Sequence, residues 1–247
     1  MTDLDIVILA AGKGTRMGGD KAKVLTSLAG KPMISHLIQS VEKAYGVKPV
    51  IVVGFQADTV KEACGPEYRY ALQAAQRGTG HAVREALAHV HPDAKQVIVL
   101  YGDHPLVSAD MIRSLHTAHV AKKSPITLAT AQVEDFNEWR KTFYEFGRII
   151  RDTKGDIVKI TEKKDANETE LAVTEINPAY FCFDAEWLRH HIHNLDTKNA
   201  QGEYYLTDLI SIAQKEGYVL NSISIPPHEA LGANTPEQLN FLLNFVK

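Results

Sequence analysis

The chain has 247 residues, of which 45% are hydrophobic and 23% charged, and its net charge is −3. This length allows one large α/β domain or two small ones, and the composition is ordinary for a soluble globular protein. The slight negative charge leaves no basic field for non-specific nucleic-acid binding, and no apolar run is long enough to span a bilayer.

The N-terminus, Met1-Thr2-Asp3-Leu4-Asp5, is acidic and leads straight into an apolar run, so no secretory leader is expected. That run, Ile6-Val7-Ile8, has the character of a buried parallel strand. It passes into Leu9-Ala10-Ala11-Gly12-Lys13-Gly14-Thr15-Arg16-Met17, a small-residue loop with two glycines, with Lys21 and Lys23 beyond it. Glycine lets backbone N–H groups approach a phosphate closely, and Arg16 and Lys23 can neutralise its charge. The plainer reading is a tight strand-to-helix turn with surface lysines. A dinucleotide fingerprint would need a third glycine where Met17 stands, and a P-loop would need Ser or Thr after Gly12-Lys13, where Gly14 stands.

Further on, Met33, Ile34, Leu37, Ile38 and Val41 recur at helical spacing up to Gly46, and residues 49–54 form a second apolar strand. The pattern continues with a short helix over 58–63, a strand over 70–72, a helix over 81–89, a strand over 96–100, a helix over 109–121 and a strand over 126–133. Alternation of this kind implies a parallel sheet with helices on both faces. From Asp135 the pattern changes. Two strand-like runs, 146–151 and 157–160, flank the turn Lys154-Gly155-Asp156. A charged, exposed stretch from Lys163 to Glu170 precedes a strand over 175–183. Helices over 185–195 and 206–216, a strand over 218–225 and a helix from Thr235 complete the chain. One domain with a β-rich insertion fits better than two independent domains. Cys64 and Cys182 have no metal or redox spacing and are expected to be buried thiols in a reducing cytoplasm. His190, His191 and His193 are poorly spaced for one metal and are expected on a solvated helix face, with His104 beside a site rather than ligating in it.

Tyr101-Gly102-Asp103 follows the 96–100 strand, so its carboxylate stands where ligands bind in open α/β sheets. A carboxylate facing a phosphate-binding loop suits Mg²⁺; the alternative is a helix-capping Asp. The chain also carries Lys23-Val24-Leu25, Leu72-Gln73-Ala74, Gly78-Thr79-Gly80-His81-Ala82, Gly147-Arg148-Ile149, Glu162-Lys163-Lys164-Asp165-Ala166, Glu175-Ile176-Asn177 and Asn199-Ala200-Gln201-Gly202-Glu203-Tyr204-Tyr205-Leu206-Thr207-Asp208. With the opening loop and Tyr101-Gly102-Asp103, and in this order over nearly the full chain, it resembles the nucleotidyltransferase half of the bacterial bifunctional N-acetylglucosamine-1-phosphate uridyltransferase family.

The resemblance implies the nucleotide-diphospho-sugar transferase fold, a Rossmann-like, mostly parallel mixed sheet. It implies that UTP and N-acetylglucosamine-1-phosphate give UDP-N-acetylglucosamine and pyrophosphate. Arg16, Lys23 and Asp103 would be catalytic. Leu9, Ala10, Ala11, Gly12, Gly14, Gln73, Gly78 and Thr79 would bind the nucleotide. Tyr101, Gly102, Gly147, Glu162, Asn177, Tyr205 and Thr207 would meet the sugar. Asp103 and Asn234 would hold Mg²⁺. Residues 1–133 would form the nucleotide part and 134–247 the sugar part of a single domain.

Three departures bear on this. The chain ends at Lys247 without the hexapeptide repeats of the family's acetyltransferase β-helix, so acetyl transfer is not expected, and a monomer or homodimer is expected in place of the β-helix trimer. Pro178-Ala179 follows Asn177 where the family has Thr-Gly or Ala-Gly, which bears on the sugar. Ala22 replaces the proline before the phosphate-binding lysine, which is expected to loosen that loop. The rival readings are another sugar-1-phosphate or nucleoside triphosphate, a cytidylyl- or molybdopterin guanylyltransferase, and a non-catalytic sugar-nucleotide sensor.

Overall fold

The computed structural model describes residues 3–14 and 21–246. Its central strand is β1, Leu4–Leu9, with all six residues buried. Apart from Asp5, which is buried in an ion pair with Arg69, the run is apolar because helices cover both faces of the sheet. Ile6 and Ile8 pack into one layer with Leu37 and Ile112, while Val7 and Leu9 pack into the other with Val83 and Leu188. Each such side chain contributes about 1.5–3 kcal/mol by leaving water.

A two-stranded ribbon, β2 (Ser27–Leu28) and β3 (Lys31–Pro32), leads into helix α1, Met33–Tyr45. Gly46, at φ +66°, closes α1 in the left-handed conformation. Strand β4 (Val50–Val53), helix α2 (Ala57–Cys64), strand β5 (Arg69–Leu72), helix α3 (Thr79–Leu87) and strand β6 (Gln96–Tyr101) follow. Strands β5, β4, β1 and β6 are adjacent and parallel, so their carboxyl ends open on one side. Helix α4 (Ala109–Val120) leads to β7 (Ile126–Gln132), and the β-rich insertion supplies β8 (Gly147–Arg151), β9 (Ile157–Thr161), the short helix α5 (Glu168–Leu171) and β10 (Glu175–Asn177). Then come β11 (Phe181–Asp184), α6 (Ala185–His191), α7 (Leu209–Lys215), β12 (Asn221–Ser224) and α8 (Pro236–Leu242). The mixed sheet of ten strands has the order β5-β4-β1-β6-β11-β7-β10-β8-β9, with β12 also paired to β7. Among the described residues no helix is long and apolar enough to cross a membrane.

The single strand expected over 175–183 is two strands. Pro178 has no N–H to give a ladder, and Ala179 turns to φ +65°, its own N–H donating to Asn177 Oδ1 at 2.9 Å. The break lets β10 pair with β8 and the far end of β7, while β11 crosses to β6 and the near end of β7.

Two smaller expectations also change. His191 is buried rather than solvated: it stacks on Trp187 at 4.4 Å between centroids, and its Nε2 lies 3.2 Å from a Glu216 oxygen. An aromatic neighbour one turn back made room for it, which adjacent-residue spacing does not reveal. Cys182 is buried, but Cys64, in the last turn of α2, is only partly so.

Candidate active site

The loop after β1 stands over the carboxyl ends of the parallel strands. Ala10 donates its N–H to the Val52 carbonyl at 2.8 Å, Phe55 donates to the Ala11 carbonyl at 3.1 Å and Gly102 to the Leu9 carbonyl at 2.9 Å. Gln76 Nε2 also donates to the Ala11 carbonyl, at 2.5 Å. Gly14 takes φ +64°, and a side chain there would run into the stem of Lys23. Arg16 lies outside the described residues.

Lys23 opens a short 3-10 turn, Lys23–Leu25. The backbone at Ala22 is tethered where loosening was expected. Ala22 donates its backbone N–H to Gln56 Oε1 at 2.8 Å, a bond that a proline could not make. The Lys23 ammonium is hydrogen-bonded to both Asp103 Oδ2 and Asn234 Oδ1. Asn234 is steadied by its N–H, which donates to Gln238 Oε1 at 2.6 Å, while Thr235 caps α8.

Asp103 is not a helix cap; Ser108 caps α4, its Oγ accepting the Met111 N–H at 3.0 Å. Burial pushes the Asp103 carboxyl up, but the charge and hydrogen bond of the Lys23 ammonium hold it at about 2. It is therefore an ionised oxygen donor at neutral pH. His104 stands beside it with Nε2 at 3.8 Å from Asp103 Oδ1. Tyr180 gives its proton to the Glu229 carbonyl at 2.9 Å, so at 2.6 Å it accepts from His104 Nδ1, which fixes the imidazole tautomer. Burial pushes the His104 pKa down, against the pull of the neighbouring Asp103 carboxylate.

The Asp103 and Asn234 oxygens converge on one cationic nitrogen, a donor pair suited to a hard cation. Among the described residues no group of three or more His, Cys, Asp or Glu could hold a metal. An ion held here by the described residues would rely on these two oxygens and on ligands brought by a substrate.

Two clefts adjoin at this point. The first, of about 280 Å³, is lined by Leu9, Ala10, Ala11, Gly12, Lys23, Gln73, Gly78, Thr79 and Asp103 among others. The second, of about 230 Å³, is lined by Tyr101, Gly147, Glu162, Asn177, Tyr205 and Thr207 among others. Thr79, Tyr101 and Glu203 line both. Gly102 sits between strand ends, where a Cβ would stand 3.2 Å from the Leu9 carbonyl oxygen and from Val24.

Several roles differ in detail from the sequence reading. Gln73 Nε2 is already engaged, with the Gly78 carbonyl at 3.0 Å and His81 Nδ1 at 3.1 Å, so Oε1 is its remaining polar group. Gly78 makes room for protein, not for a ligand ring. At φ +101°, a Cβ there would stand 2.6 Å from the Tyr204 carbonyl oxygen and 2.9 Å from Glu203 Cβ. The same seam is sewn by Gly80 N–H to the Tyr204 carbonyl at 2.8 Å, Tyr204 N–H to the Arg77 carbonyl at 2.8 Å, and Leu206 N–H to Thr79 Oγ1 at 3.0 Å. In the second cleft Thr207 donates to Glu162 Oε1 at 3.2 Å, and burial raises the Glu162 pKa against that bond. Tyr205 Oη accepts from Gln201 Nε2 at 2.8 Å, and Asn177 Oδ1 is taken by the Ala179 turn, leaving its amino group to donate. Gln76, Glu203 and Tyr180 were not anticipated. The partners of Gln76 and Tyr180 lie far away in the chain, whereas Glu203 is held by Asn199 four residues back, within the 199–208 stretch already singled out.

A model of the MobA-like NTP transferase domain matches residues 6–208. The chain belongs to that family. It is 44% identical over 229 residues to the bifunctional protein GlmU of Enterococcus faecalis and 42% identical over 229 residues to that of Geobacillus thermodenitrificans. Each alignment covers 92% of this chain and 48% of the relative, so the chain spans about half the length of the curated relatives it matches. Among solved structures, CMP:2-keto-3-deoxy-manno-octonic acid synthetase complexed with CTP superposes with a TM-score of 0.71 at 17% identity, covering 98% of this chain and 97% of the other. That likeness shows the fold alone, the nucleotide-diphospho-sugar transferase fold.

Proposed function

We propose that the chain transfers a uridylyl group from UTP to N-acetylglucosamine-1-phosphate, giving UDP-N-acetylglucosamine and pyrophosphate. The observation that carries this reading is the pair of clefts sharing Thr79 and Tyr101, with Lys23 and Asp103 on the wall of the first. Two substrates can lie end to end there with their phosphates meeting near Asp103. The family resemblance and the likeness to GlmU supply the identities of the two substrates.

The sugar phosphate oxygen is already an anion, so no protein base is required. It forms a bond to the α-phosphorus of UTP while the bond to the oxygen bridging the α- and β-phosphates breaks, and pyrophosphate leaves with that electron pair. The protein positions the reactants and neutralises charge. Backbone N–H groups from Ala11 to Gly14 would cradle the triphosphate, with Lys23 and Arg16 offsetting its charge. Gln73 Oε1 would accept the uracil imide N–H. Glu162 would accept from a sugar hydroxyl and Asn177 would donate to one, with Tyr205 and Thr207 holding that wall. Asp103 and Asn234 would hold Mg²⁺, which when bound would offset the charge of both substrates' phosphates. Residues 1–133 would handle mainly the nucleotide and 134–247 mainly the sugar. We place the reaction in the cytoplasm, a reading supported by two unpaired cysteines.

Pyrophosphate release with a panel of nucleoside triphosphates and sugar phosphates tests this. UTP with N-acetylglucosamine-1-phosphate should give the highest kcat/KM. A different best pair overturns the substrate assignment, and binding without release for every pair identifies a sensor.

A further inference from the structure

Asp103 stands just past the end of β6 and Asn234 in the segment before α8, and their oxygens are bridged by the Lys23 ammonium. The cluster is well covered: the Lys23 side chain is 11% exposed and that of Asp103 20%. A carboxylate and a carboxamide oxygen aimed at one point form a hard-cation donor pair. An ammonium and a divalent ion cannot share that point, since two positive charges at contact distance repel strongly. Lys23 also lines the first cleft, where a triphosphate would compete with Asp103 and Asn234 for its ammonium.

We propose that Lys23 is a built-in counter-ion that closes the divalent-cation site of the free protein, and that nucleotide phosphates open it by drawing the ammonium away. The proposal rests on the reading of Asp103 and Asn234 as metal ligands. It sets an order of events, with the cation loading together with or after the triphosphate because its donors are taken until then. Gly14 links the two states. Its backbone lies flush against the Lys23 stem, so a phosphate that moves the opening loop also moves Lys23. The arrangement also spares the free protein an unpaired, poorly solvated carboxylate at Asp103.

Mn²⁺, which takes the same oxygen ligands and is read by electron paramagnetic resonance, is the probe for the nucleotide-free full chain. Lys23→Met should bind Mn²⁺ at least about tenfold more tightly than the wild type, within the range of ordinary site-to-site coupling. The gain should disappear in Lys23→Met combined with Asp103→Asn. A second measurement uses the unmodified protein: saturating Mn²⁺ should raise the rate at which an amine reagent labels Lys23, followed by mass spectrometry. Equal or weaker Mn²⁺ binding by Lys23→Met, or a labelling rate that Mn²⁺ leaves unchanged, overturns the counter-ion role. Mn²⁺ binding that Asp103→Asn leaves unaltered in both backgrounds overturns the metal reading, and this proposal with it, while uridylyl transfer is measured separately.

Discussion

Ala22 gives its backbone N–H to the side chain of Gln56, 34 positions along the chain, at 2.8 Å. Ala22 is fully buried, so loss of that acceptor would leave a dry donor unpaired. Gln56→Ala is expected to cost about 1–3 kcal/mol and to raise KM for the triphosphate. Ala22→Pro should behave differently. The backbone at Ala22 has φ −56°, ψ 129°, which proline adopts without strain, and the substitution removes the donor instead of orphaning it. Its stability should stay within about 1 kcal/mol of the wild type. Denaturant melts of both variants check the contrast.

Asp103→Asn keeps the shape of the side chain but removes the charge. If Asp103 ligates the metal, kcat should fall by at least about a hundredfold, on the order of 3 kcal/mol of barrier. Normal turnover at saturating Mg²⁺ would falsify that ligand role.

Gly78→Ala should be among the most damaging single changes. Its Cβ would meet backbone at 2.6 Å, and φ +101° is unfavourable for any L side chain. A loss of about 2 kcal/mol or more is expected, with nucleotide binding weakened because the seam to Tyr204 opens. Calorimetry with and without UTP would reveal both effects.

Ala179 occupies the left-handed region at φ +65°, where alanine is strained and glycine is not. Ala179→Gly should therefore raise stability by up to about 1 kcal/mol. Restoring the pair common in the family, with Pro178→Thr added, should leave N-acetylglucosamine-1-phosphate preferred over glucosamine-1-phosphate. Thermal melts and kcat/KM for the two sugars decide the matter.

Burial holds the Glu162 pKa above its usual 4.5 in the folded chain, opposed by the Thr207 bond. An acid whose folded pKa is raised favours folding least once pH exceeds that pKa, and its penalty vanishes below the unfolded value. Glu162→Gln should thus be more stable than the wild type at neutral pH and equal to it in acid. If Glu162 accepts from a sugar hydroxyl as proposed, recognition runs the other way, and KM for the sugar phosphate should rise as pH falls through the raised pKa. Thr207→Val removes the bond that lowers this pKa and should move the rise to higher pH.

The parallel half of the fold was legible because β1, β4 and β6 are dry on both sides and their apolar runs are unbroken. Gly46 and Thr235 marked helix ends by local chemistry alone. The 175–183 segment was misjudged because Pro178-Ala179 is compatible with an extended chain in isolation. It became a break only when Asn177 captured the Ala179 N–H and two different partner strands were available. At the candidate site, most of the expected lining residues do face the two clefts, since motif glycines and strand ends fix where the chain turns. What the sequence left hidden was direction: which atom of Gln73 is committed, what the space at Gly78 is for, and that Ala22 gains a donor where it loses a ring.

The contact of Gly78 with Glu203 and Tyr204 bears on how such enzymes can be recombined. The wall of the first cleft is completed by a strip that arrives more than a hundred residues later, at Glu203. If that cleft holds the nucleotide as proposed, a chimera cut at residue 133 would give the incoming half a share in base selection. Exchanging acceptor specificity by swapping halves would carry nucleotide preference along, unless residues 203–206 travelled with the loop at Gly78 as a matched pair.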